Sequence, residues 1–104
     1  MFVRVDLDAP SVTLEEPDDC KRFHVEVVGD GDDDALGRAL ADAGAGRLDG
    51  GDANVSVDAV RRLAAGRVGP TWDADFAAMV DSAATKGWLD SDGAAIQAHV
   101  ERSG

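Results

Sequence analysis

The chain has 104 residues, 44% hydrophobic and 30% charged, a balance that excludes a disordered polymer and fits one domain spanning 1–104. Its formal charge of −11, from 21 Asp and Glu against 10 Lys and Arg, repels phosphate backbones and anionic membranes. One cysteine, Cys20, excludes an internal disulfide and fits a reducing cytoplasm, and no segment reaches the ~18 apolar residues that span a bilayer.

Two Trp, three Phe and no Tyr leave most of the core to Ala, Val and Leu, so the core is thin. Lys occurs only at Lys21 and Lys86, and Ala, Gly, Asp and Val abound. A GC-rich bacterial genome encodes such a composition, and a salt-adapted host selects the same carboxylate surface. The N-terminal segment Met1 to Asp8 lacks the apolar run of a signal peptide or anchor.

Residues 2–7 alternate, with Val3, Val5 and Leu7 on one side, which predicts a strand stopped at Pro10. Ser11 to Leu14 reads as a short continuation before the turn at Pro17-Asp18-Asp19. A second clear strand covers 23–28, with Phe23, Val25 and Val27 inward, and is expected to pair antiparallel with the first. Asp residues after Gly29 then lead into a helix over 34–43 that presents Leu36, Ala39, Leu40 and Ala43 and stops at Gly44.

Residues 47–52 read as flexible turn material, and Ala53-Asn54-Val55 as a one-bridge strand. Ser56 is a good N-cap for a second helix, 57–65, whose apolar positions are Val57, Val60, Leu63 and Ala64. The third helix, 72–86, has the best-formed apolar stripe: Trp72, Phe76, Met79, Val80 and Ala83. Gly87 ends it. Trp88-Leu89, the turn Asp90-Ser91-Asp92-Gly93 and alternation at Ile96, Ala98 and Val100 then predict a hairpin over 87–101, with a helix over 94–101 as the alternative.

The chemistry-bearing residues form no familiar constellation. Runs starting at Asp30 or Asp52 lack the Gly and Glu that a calcium loop needs at its sixth and twelfth positions, and the turn at Asp90 puts Trp88 at the first position and His99 at the twelfth. Cys20 and His24, with His99 the only other imidazole, are too few N and S ligands for zinc without carboxylates. Asp18 and Asp19 beside Cys20 weaken it as a nucleophile. Trp72 and Trp88 both read as core. No catalytic, cofactor-binding or metal residues are assigned.

The element order over 34–101 resembles that of winged-helix domains, with Trp72 to Lys86 in the place of the recognition helix and Gly87 to Glu101 in that of the wing. The implied fold is α+β: N-terminal antiparallel strands, three helices and a C-terminal β-hairpin. A small helical bundle with an N-terminal hairpin is the alternative. The resemblance implies DNA binding, which the composition opposes. Opposite its apolar stripe the third helix offers Asp75, Ala78, Asp81, Ser82 and Thr85, where a groove-reading helix needs Arg, Asn, Gln or Lys. Arg61, Arg62 and Arg67 form the one basic cluster.

The expectation is therefore a non-enzymatic, cytoplasmic interaction or regulatory module, monomeric or weakly dimeric. It would use that acidic helix face toward a basic protein partner, not toward nucleic acid or a membrane. A winged-helix DNA-binding protein and a small metal protein or enzyme around Cys20 and His24 are the alternatives.

Overall fold

Alternation decides the first element. Val3 and Val5 are fully buried while Phe2, Arg4 and Asp6 face outward, giving strand β1, Phe2–Asp6. The computed structural model describes residues 1–8, 11–20, 22–90 and 92–103. The expected strand stop at Pro10 and the Ser91 position of the expected turn lie outside the described residues.

Strand β2, Ser11–Glu15, runs antiparallel to β1 and pairs along its whole length, from Phe2 with Glu15 to Asp6 with Ser11. Strand β3, His24–Val28, lies on the other side of β1 and is parallel to it, not antiparallel. The reason is β2 itself. Because that segment is a full strand, it carries the chain back to the starting end of β1 before β3 begins. Val25 and Val27 of β3 join the core.

Helix α1, Asp33–Asp42, starts where the side chain of Asp32 accepts from the Ala35 N–H at 3.0 Å, and it buries Leu36 and Leu40. The next stretch is not a flexible turn. Gly46–Asp49 is strand β4, and Asp52–Ser56 is strand β5, joined by the two-residue turn Gly50-Gly51. Gly46 is obligatory in this hairpin, because a Cβ there would stand 2.0 Å from the Asn54 carbonyl oxygen.

Ser56 then caps α2, Val57–Ala64, through its hydroxyl oxygen and the Ala59 N–H. Helix α3, Trp72–Thr85, buries Trp72, Phe76 and Ala83, the core side of the expected stripe. The Trp72 and Phe76 rings stack at 4.8 Å, and the Trp72 indole N–H donates to the Pro17 carbonyl. The second of these contacts pins the start of α3 to the loop after β2.

Strand β6, Ala95–Ser103, completes a mixed six-stranded sheet of order β2-β1-β3-β6-β5-β4. It is the strand that joins the two ladders. Residues 95–99 pair antiparallel with β5, and residues 100–103 pair parallel with β3. This overturns both expected architectures. The C-terminal segment is not one arm of a two-stranded wing, and it is not a helix. Ile96 and Ala98 are buried on the helix-covered side, and β3 and β5 each take backbone partners from β6.

Of the expected hairpin, one bridge remains. Leu89 pairs with Ile96, supported by Gln97 N–H donating to the Trp88 carbonyl and Asp90 N–H to the Ala95 carbonyl. No helix among the described residues is long and apolar enough to cross a membrane.

Candidate functional site

Where the loop before β3 parts from the start of β6, a groove of about 720 Å³ opens beside α3. Three walls make it. Asp75, Ala78, Met79, Ser82, Ala83 and Lys86 come from α3 and the residue after it, at offsets of three, four, seven, eight and eleven. Asp18, Asp19, Cys20 and Phe23 come from the loop between β2 and β3. Trp88, Ile96 and Gln97 come from the bridge that follows α3 and from β6.

The loop wall is held from inside the fold. The Met1 ammonium donates to the Asp19 and Arg22 carbonyls at 2.7 and 3.1 Å, and the Pro17 carbonyl takes the Trp72 N–H. The Asp19 carboxylate lies 3.8 Å from the same ammonium.

The two ends of the groove differ in charge. Around Cys20, burial pushes the thiol up, and the carboxylates of Asp75, Asp19 and Asp18 push it further, against the lowering influence of the Met1 ammonium. Three carboxylates thus converge on one thiol. A thiol held in that field stays protonated at neutral pH and is a poor nucleophile. Among the described residues, the Asp18 and Asp75 side chains make no ion pair or hydrogen bond.

At the other end, Lys86 Nζ lies 4.7 Å from the centroid of the Trp88 ring, a cation–π contact. Trp88 is 47% exposed, the one large hydrophobic side chain left open among the described residues. The expectation that it belongs to the core is therefore corrected. The segment Trp88 to Asp90 makes only a single bridge to β6, so its first side chain has no second strand to pack against.

The candidate face on α3 divides. Asp75, Ala78 and Ser82 line the groove, while Asp81 and Thr85, also exposed, lie outside its lining. The candidate basic cluster disperses onto the chain's own groups. Arg61 lies over the Phe76 ring at 5.3 Å, Arg62 donates to the Ala43 carbonyl at 2.9 Å, and Arg67 donates to the Leu14 carbonyl.

Cys20 and His24 serve different places. Cys20 faces the groove, whereas His24 stacks between Phe2 at 5.0 Å and His99 at 5.6 Å on the open face of the sheet. There Glu101 reaches both imidazoles, His99 Nε2 at 3.0 Å and His24 Nε2 at 3.5 Å. The His99 hydrogen bond, followed by the charge of His24, pulls the Glu101 carboxyl below its ordinary range. Among the described residues no group of three or more His, Cys, Asp or Glu is placed to hold a metal ion.

Sequence reasoning missed Lys86, Phe23, Gln97 and the outward Trp88 as parts of one site. One signal was present. Asp75, Ser82 and Lys86 recur on one side of α3, and Gly87 (φ +78) turns the chain so that Trp88 follows directly beside them.

No protein-family model, curated protein sequence or solved structure matches the chain.

Proposed function

We propose that the protein is a recognition module that holds a basic, amphipathic segment of a partner protein in the groove beside α3. The observation that supports this is the pairing of an apolar lining with carboxylates, Asp18 and Asp75, that no cation among the described residues pairs with. Phe23, Met79, Ile96 and Trp88 offer the surface an apolar side chain fills, and Asp18 and Asp75 offer charge to a Lys or Arg at its edge. The net charge of −11 attracts such a partner from a distance and repels polyanions. The Cys20 thiol is held protonated by burial and by the facing carboxylates, so among the described groups binding is the chemistry this groove serves best.

A labelled amphipathic peptide of Leu and Lys, titrated against the full chain at moderate salt, tests the proposal. Neutralising both carboxylates, Asp18→Asn with Asp75→Asn, should weaken binding about tenfold through the loss of two groove-edge ion pairs. A wild-type affinity that is the same for the Lys peptide and its Glu counterpart would sink the proposal.

A further inference from the structure

We infer that the groove selects a bipolar segment, with a cation seated at Asp18 and Asp75 and an Asp or Glu side chain seated at Lys86 about 16 Å away. The inference rests on the recognition reading above and adds to it the direction and spacing of charge in the partner. Asp75 and Lys86 are eleven residues apart on one side of α3, and a rise of 1.5 Å per residue sets that length.

Lys86 is suited to be an anion seat. Among the described residues it lies within ion-pair distance of no carboxylate, although the chain carries 21 Asp and Glu. Its ammonium is instead held 4.7 Å from the Trp88 ring centroid, and both side chains line the groove. A free lysine stem costs rotamer entropy when it is immobilised by a ligand. Resting on an indole, this one is partly ordered beforehand, so an arriving carboxylate meets a cation already in place. The ring keeps its own role as an apolar contact for the same segment.

A helical segment laid along α3 would satisfy both seats with a Lys and a Glu eleven positions apart and apolar residues between them. A segment that is basic throughout would bring a like charge against Lys86 and bind less tightly.

Three labelled helical peptides, titrated against the full-length chain, test this. The first carries Lys and Glu eleven positions apart. The second has Gln in place of that Glu, and the third moves the Glu to four positions from the Lys. Lys86→Gln should weaken the first peptide about threefold, the size of a partly exposed ion pair, and leave the other two unchanged. Asp75→Asn should weaken all three.

If Lys86→Gln weakens the three equally, or weakens none, the anion seat is wrong while the recognition reading stands. If no peptide binds, or Asp75→Asn changes nothing, the recognition reading fails and takes the inference with it.

Discussion

Two regions of the molecule, the open face of the sheet and the groove beside α3, treat their charges in opposite ways. On the open face of the sheet, polar groups find each other: His24, His99 and Glu101 form one contact set. In the groove, Asp18, Asp75 and Lys86 find no partner of opposite charge among the described residues. The cause is geometric. Paired strands bring side chains on one face to within about 5 Å, which puts His24, His99 and Glu101 within reach of one another. The groove walls come from a helix, a loop and a bridge segment, and their charges stand apart along its length. Under the proposed recognition role, the charges left facing the cavity are the ones a partner segment would meet.

The contrast breaks most completely at Phe76, which anchors α3, the helix that forms one groove wall. It is fully buried, stacks on Trp72 and lies under Arg61. Phe76→Ala should cost about 3–5 kcal/mol in a urea titration, because the removed ring leaves a cavity that the surrounding side chains refill only in part. A loss below about 1 kcal/mol would show that α3 is not anchored there.

A finer test uses Cys20 as a probe of the acidic end. Its alkylation rate should rise with pH around a midpoint above the ~8.5 of a free thiol, because burial and the facing carboxylates disfavour the thiolate. Asp75→Asn removes one of those carboxylates. The midpoint should fall and the rate at pH 7.5 should rise about twofold. Glu101→Gln, on the sheet face, should leave the rate unchanged. Equal effects from both variants would mean that the two regions are not electrically separate.

The elements were more legible in the sequence than their arrangement. Ser56 as a cap, the stripe of α3 and the alternation at Val3, Val5, Val25 and Val27 are local signals, and each sits where its period places it. The parallel pairing of β1 with β3 was not legible. It depends on Ser11–Glu15 being long enough to return the chain, and five residues with a single buried Leu14 carry a weak pattern.

The hairpin of β4 and β5 was hidden for a similar reason. Gly46, Gly50 and Gly51 look like punctuation, although the first permits close strand approach and the others make the turn. Of the candidate site, the helix contributed Asp75, Ala78 and Ser82. Phe23, Trp88 and Gln97 join them only through tertiary folding, which no local period records.

The smallest expected effect belongs to the sheet face and concerns acid. Glu101 has its carboxyl lowered in the folded chain, first by the His99 hydrogen bond and then by the charge of His24. A depressed carboxylate contributes stability above its unfolded value of about 4.3, and the contribution is lost as pH falls through the lower folded value. Against it stands the general relief of repulsion as other carboxylates of this strongly acidic chain take up protons. The raw pH profile therefore mixes two opposing trends, and only the difference between wild type and Glu101→Gln isolates the first. That difference should be largest near pH 5, where the carboxylate is ionised and an ordinary imidazole still carries its proton, and shrink toward zero below about pH 4. A difference that persists into strong acid would mean that the Gln side chain disturbs the strand itself, and that Glu101 holds β6 by packing and not by its charge.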